Sequence, residues 1–276
     1  MSQPDFEAIT LVHEGRIAWI TLNRPESLNA LNDQLLQEFA QAFDYLADVD
    51  HRVVVVKGAG RAFSAGYDIS SNSAEVGYAS ERDPVEDRDR LLRNMDIYLK
   101  MWRHPLPVIT QVHGYCLGGA SQLAVFSDVT VVADDAIIAG SPTLPLGGGY
   151  IAPLWATLVG PKRAKLMSFD VGRQIDGKTA EAWGWATESV PAASLDAHVR
   201  AMAASIGRTP ASILKLKKEA VNRVADLQGF GTIARMGAET DALLHFTPEV
   251  RAIQTEIRAR GLKGAIAHYK EHGFGD

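Results

Sequence analysis

The chain has 276 residues, 46% of them hydrophobic, a formal net charge of −5 and one cysteine. This length suits one α/β domain or a domain with a helical appendage, and the acidic balance excludes the basic surface that a nucleic-acid partner requires. No apolar run reaches the roughly 18 to 20 residues of a membrane span, residues 1–7 lack the basic and apolar parts of a signal peptide, and a lone thiol cannot build a disulfide framework, so a cytoplasmic location without a membrane partner is expected.

Ala8 to His13 and Arg16 to Leu22 flank Glu14-Gly15, a hairpin signal, and Asn23-Arg24-Pro25 breaks the second strand. Leu31, Leu35, Phe39, Phe43 and Leu46 recur at helical spacing, with Asn29 or Asn32 available as the cap. Arg52 to Lys57 is short and rich in valine, the pattern of a buried parallel strand. A glycine turn follows, Ala62-Phe63-Ser64-Ala65-Gly66-Tyr67-Asp68. The polar stretch from Ser70 to Arg90, with Asp83, Glu86, Asp87 and Asp89, is expected to be a solvated lid or surface loop. Helical periodicity returns over Leu91 to Trp102 and ends at His104-Pro105, where His104 is expected at the surface.

Val108 to Val112 supplies another strand and leads into a second glycine turn, Val112-His113-Gly114-Tyr115-Cys116-Leu117-Gly118-Gly119-Ala120. His113 is expected in the core and Cys116 as a small buried hydrophobe. A helix from about Gly119 to Phe126 and a strand over Val129 to Ala133 complete a repeat of strand, helix and strand, which argues for a wound α/β fold. From Pro161 onward the pattern is helical, over residues 162–169, 178–186, 195–206, 211–224 and 230–246. A region without strands is not expected to extend the sheet; it would pack on the core or on a neighbouring subunit. A core over residues 1–205 and a helical region over 206–276 follow.

Each glycine turn directly follows an apolar strand-like run and can present backbone N–H groups at the mouth of a sheet. Two such donors aimed at one point form an oxyanion hole, which stabilises negative charge developing on a carbonyl oxygen.

The segment Asn23-Arg24-Pro25-Glu26-Ser27-Leu28-Asn29-Ala30-Leu31, the two glycine turns, Ser127-Asp128, Val159 to Ala164 and Thr179 to Gly184 fall in the order and spacing of the crotonase family, also called the enoyl-CoA hydratase/isomerase family. The resemblance covers about the first 220 residues. It implies an α/β spiral core of ββα turns and a helical C-terminal region used in trimerisation, from about Phe230, with trimers able to pair into hexamers. It also implies an acyl-CoA substrate, coenzyme A being part of that substrate and no separate cofactor being called for. By position, the oxyanion donors resemble the backbone N–H groups of Tyr67 and Gly119, with Gly66 and Gly118 beside them. Leu28, Ala30, Ala65, Asp68 and Ile69 match positions that lie along the nucleotide and pantetheine. Asp68 fits a helix cap equally well.

The departures from the family pattern are specific. Hydratases of the family use two glutamates to activate and protonate water; here the first position reads Gln122, and the second reads Thr143, or Pro142 without a gap. None of these is a general base. Tyr150, after Gly147-Gly148-Gly149, is a replacement acid or base, or a packing residue at the rim. No cluster has metal-ligand spacing, no phosphate loop occurs, Gly58-Ala59-Gly60 lacks the third glycine of a dinucleotide fingerprint, and neither Ser64 nor Ser141 sits in a nucleophile elbow. The expectation is an enzyme acting through a thioester enolate with an unusual acid or base, in the lyase or isomerase class. The alternative is an acyl-CoA carrier or regulator without turnover.

Overall fold

The computed structural model describes residues 3–69, 83–141 and 143–273. Strands β1 (Ile9–Glu14) and β2 (Ile17–Leu22) form the expected antiparallel hairpin, closed by Gly15 at a φ of 59°. Helix α1 (Asp33–Ala47) is capped by Asn32, whose Oδ1 accepts from the Leu35 N–H at 2.9 Å. Asn29 has a different task. It is buried with a φ of 54°, and its Nδ2 donates to the Ala59 and Ala62 carbonyls, which fastens the start of the first glycine turn.

Strands β3 (Val53–Gly58), β5 (Val108–Val112) and β7 (Val129–Ala133) lie parallel beside β2, while β4 (Ala62–Ser64), β6 (Tyr115–Leu117) and β8 (Ile137–Ala139) form a second parallel sheet. Each turn of chain therefore gives one strand to each sheet before the next helix, a ββα spiral. Val53, Val54, Val55 and Val56 are fully buried, which explains why this strand reads as a continuous apolar run rather than an alternating one. The helices are α2 (Pro84–Arg103), α3 (Gly119–Val125), α4 (Ala152–Val159), α5 (Pro161–Phe169), α6 (Gly177–Trp183), α7 (Leu195–Gly207), α8 (Ala211–Leu227), α9 (Phe230–His245) and α10 (Pro248–His272).

Several expectations are corrected. β9 (Glu188–Val190) does extend the sheet beyond Pro161, pairing parallel with β7. Three half-buried edge residues carry no apolar run, and backbone pairing alone makes the strand. The polar stretch is helical from Pro84, because Asp83 Oδ1 accepts from the Val85 and Glu86 N–H groups and Pro84 opens the first turn. Asp87 and Arg90 occupy inward positions on this helix, where apolar residues would have signalled it. The part of the expected lid over residues 70–82 lies outside the described residues.

His104 is buried, not at the surface: its ring stacks on His51, the two Nε2 atoms lie 3.0 Å apart, and its other neighbour is the Phe43 edge. His113 is only half-buried and its Nε2 bonds the Gly60 carbonyl at 2.9 Å, so it ties the two glycine segments together instead of filling the core. Cys116 is fully buried and its thiol is pushed up by burial, as a small hydrophobe.

Burial holds the His104 pKa down to about 3, with His51 and Lys218 adding to the depression. The ring is neutral when folded and protonates near 6.5 once unfolded, so the unfolded chain binds the extra proton and stability falls as pH drops from about 6.5 toward about 3. Replacement of His104 by Phe is expected to flatten that fall, seen as a smaller difference in urea midpoint between pH 7 and pH 4.5 than in the wild type.

Candidate active site

The two glycine turns meet. Gly66, at a φ of 89°, packs so closely that a Cβ there would stand 2.5 Å from the Leu117 carbonyl oxygen and 3.2 Å from the Gly119 nitrogen. Only glycine permits that approach. Gly118 donates its N–H to the Ala139 carbonyl at 2.8 Å, while Gly119, the first residue of α3, is among the donors at the helix start that have no partner within the helix. In the first turn Leu31 N donates to the Gly66 carbonyl and Asp68 N to the Leu31 carbonyl, a parallel bridge around Tyr67. Bonds of that pattern turn the N–H of Tyr67 to the edge away from Leu31.

The Tyr67 ring covers Gly119: a Cβ on Gly119 would come within 2.6 Å of Tyr67 Cε2. Tyr98 donates its hydroxyl hydrogen to the Tyr67 oxygen at 2.9 Å, and Tyr67 donates to Gln122 Oε1 at 3.2 Å. Gln122 is fully buried behind this ring, and its Nε2 has no hydrogen-bond partner among the described residues. It lies off the cavity wall, whereas Thr143 is half-buried on it; Pro142 lies outside the described residues.

Tyr150 forms part of the cavity wall. It is 1% exposed, stacks against Tyr67, and donates to the Leu91 carbonyl at 2.7 Å. Burial drives its pKa well above the usual phenol value, with the neighbouring Tyr98 adding to the effect.

A cavity of about 150 Å³ opens in front of both turns, with Ala65, Gly66, Tyr67, Ile69, Gly118, Gly119 and Tyr150 among its lining. Leu28, Ala30 and Asp68 stand behind the first turn instead. Leu28 adopts a left-handed conformation and its carbonyl accepts from Ala65 N; the Ala30 carbonyl accepts from Arg24, which also pairs with Asp68 at 3.3 Å.

The opposite wall carries charges that sequence reasoning missed or left in solvent. Asp87 is fully buried and binds Arg90 Nη2 at 2.9 Å and His245 Nδ1 at 2.7 Å. Asp241 Oδ2 lies 4.0 Å from His245 Nε2, and its Oδ1 accepts from Gly148 N at 2.9 Å. A Cβ at Gly147 would stand 2.9 Å from that same oxygen, which accounts for glycine there. Arg90, Asp241 and His245 all line the cavity.

Burial pushes the Asp87 carboxyl up, but the His245 and Arg90 partners outweigh it and hold the group below the usual range. Burial alone would lower His245; its bond to Asp87 and the Asp241 charge raise it instead. Asp241 is raised, because burial outweighs His245 and the backbone donors Gly148 and Gly149. Such opposed groups around one cavity are suited to moving a proton. The available sequence signal was the i, i+4 pair Asp241 and His245 on the inward face of α9, in line with buried Ala234, Gly237, Ala238 and Ala242.

Among the described residues no group of His, Cys, Asp and Glu could hold a metal ion, and no helix is long and apolar enough to cross a membrane. The family profile described as enoyl-CoA hydratase/isomerase matches residues 13–255. A Mycobacterium tuberculosis protein named as a probable enoyl-CoA hydratase is 34% identical over 228 residues, spanning 79% of this chain and 82% of its own.

Among solved structures, a Novosphingobium aromaticivorans chain bearing the enoyl-CoA hydratase/isomerase name superposes with a TM-score of 0.90 at 40% identity, covering 95% of each chain. An enoyl-CoA hydratase/isomerase from Xanthobacter autotrophicus gives 0.87 at 32% identity over 95% of this chain and 97% of its own. Ordered motifs, ββα spiral and matched length agree, and the chain belongs to the enoyl-CoA hydratase/isomerase family.

Proposed function

We propose that this protein is an enzyme that binds an acyl-CoA thioester and holds its carbonyl oxygen between the N–H groups of Tyr67 and Gly119, stabilising the thioester enolate. The acid and base stand outside the two positions the family's hydratases use. The observation that carries this reading is the contact of the two turns at the mouth of one cavity, with Gly66 packed against Gly119. Donors fixed beforehand cost no reorganisation when charge develops.

The test is incubation with a panel of enoyl-, 3-oxoacyl- and malonyl-type CoA esters, followed by mass spectrometry. Conversion of one class supports the enzyme; tight binding of all with no conversion turns the reading to a carrier or regulator. That second reading draws on Gln122, neutral and sealed behind Tyr67, and on Thr143, neither of which can act as a general base.

Self-association is part of the proposal and rests on the family resemblance. Exposed large apolar residues gather on α8, where Leu216 is 65%, Val221 68% and Leu227 89% exposed. Val221→Asp combined with Leu227→Asp is expected to convert a trimer or hexamer in sedimentation velocity to a smaller species while the far-UV circular dichroism stays unchanged.

A further inference from the structure

The family's two glutamate positions are neutral in this chain, so any proton transfer at the substrate needs another group. Gln122 and Thr143 have no titration in the useful range, Tyr150 is sealed onto the Leu91 carbonyl, and the buried pairs His51 with His104 and Lys218 with Asp128 are not among the cavity lining. His245 is on the wall.

On the reading that an acyl-CoA thioester fills this cavity, the geometry points to His245 as the catalytic residue that takes and returns a proton on the carbon next to the thioester carbonyl, with Asp87 and Arg90 as positioning residues. The ring nitrogens are distinguished by their partners. Nδ1 bonds Asp87, which is fully buried and off the cavity wall, whereas Nε2 is on the side of Asp241, which lines the cavity. An ionised Asp87 fixes the proton on Nδ1, so the neutral imidazole presents its lone pair at Nε2. Arg90, bonded to the other oxygen of Asp87, keeps that carboxylate charged and oriented.

The proton balance closes without a co-reactant. Nε2 takes the α-proton; the C–H electron pair becomes the carbon–carbon double bond of the enolate, and the negative charge rests on the carbonyl oxygen facing Tyr67 and Gly119. The imidazolium then gives its Nε2 proton back to the same carbon, or to a carbon further along an unsaturated chain.

Among the described residues, the charged groups acting on His245 include Asp87 and Arg90 from α2 and Asp241 from α9 itself. α4 has no ionisable residue, α10 presents the amide Gln254 at the cavity, and α8 meets α2 at Trp102, whose ring stacks on Phe230 at the far end of α9. The base form is the neutral ring, so exchange rises as pH climbs through an inflection above the ordinary 6.5.

The experiment measures deuterium incorporation from D2O into the α-carbon of butyryl-CoA and octanoyl-CoA by mass spectrometry, with binding followed separately by calorimetry. Wild type is expected to exchange the α-hydrogens. His245→Gln should lose at least about 100-fold in exchange, with Kd changed less than about threefold and the thermal midpoint retained. Asp87→Asn should move the pH inflection of exchange to lower values, because the bond that raises the imidazole pKa is weakened while burial remains.

Exchange by His245→Gln within about threefold of wild type overturns the assignment, as does an inflection unmoved in Asp87→Asn. A wild type that binds acyl-CoA but neither exchanges nor converts it also overturns the assignment and leaves the binding reading standing. Failure of the wild type to bind any CoA ester overturns the thioester reading itself. Should His245→Gln unfold, the Asp87→Asn inflection decides the matter.

Discussion

Gly119→Val is expected to lower kcat for whichever acyl-CoA the wild type converts by about 100- to 1,000-fold, the range seen when one oxyanion donor is lost. The cause is steric before it is electronic. A Cβ at this position would stand 2.6 Å from Tyr67 Cε2 and 2.7 Å from Cδ2, a separation that real Cβ contacts do not reach. The ring has little room to yield, because Tyr67 is bonded to Gln122 and Tyr98 and stacked on Tyr150. The start of α3 must therefore shift, and with it the N–H of residue 119. KM should move much less than kcat, since the missing stabilisation belongs to the charged state of the carbonyl. A kcat within about threefold of wild type in a folded Gly119→Val protein would show that this N–H is not a donor to the reacting oxygen.

The second large effect is on stability. Lys218, on α8, donates to Asp128 Oδ2 at 2.7 Å and to the Leu106 carbonyl at 3.3 Å, and Asp128 Oδ2 also accepts from the Val108 N–H at 2.7 Å. The pair pins α8 to the start of β5, with the Lys218 side chain only 6% exposed. Lys218→Met leaves a mostly buried carboxylate without its cation, and the expected loss is about 3 kcal/mol in urea unfolding at pH 7.

Burial raises the Asp128 pKa even with its partner present. Without Lys218 that pKa rises further, so the cost appears as pH climbs above the unfolded carboxylate value and shrinks as pH falls and the group protonates. Adding Asp128→Asn to Lys218→Met should restore part of the loss, because the orphaned charge is removed. No recovery in the double variant would mean that packing of the lysine stem, not the charge pair, holds α8.

The wound α/β core was legible because its strands are unusual, whereas its ββα spiral followed from the family resemblance. Four consecutive valines in β3 and the run Val108 to Val112 have no polar alternation, and only a sheet covered on both faces accepts them. The glycines of both turns were legible for a similar reason: an extended run followed by glycine predicts close backbone approach, and Gly66 against Gly119 is that approach. β9 and the first turns of α2 were not legible. The former is three edge residues paired through the backbone, and the latter hides its inward face behind Asp87 and Arg90.

The amino-acid sequence by itself determined the family, the two glycine turns and the absence of carboxylates at positions 122 and 143. These are local facts, carried by residue identity and spacing within a few dozen residues. Tertiary structure alone decided that Gln122 is sealed behind Tyr67, that Tyr150 is buried against the Leu91 carbonyl, and that Arg90, Asp241 and His245 converge on one cavity with Asp87 buried behind them. Asp87 and His245 are 158 positions apart. Each, read in its own segment, is a charge on a helix; only the packing of α9 against α2 takes both out of water, and a buried charge must find its partner there.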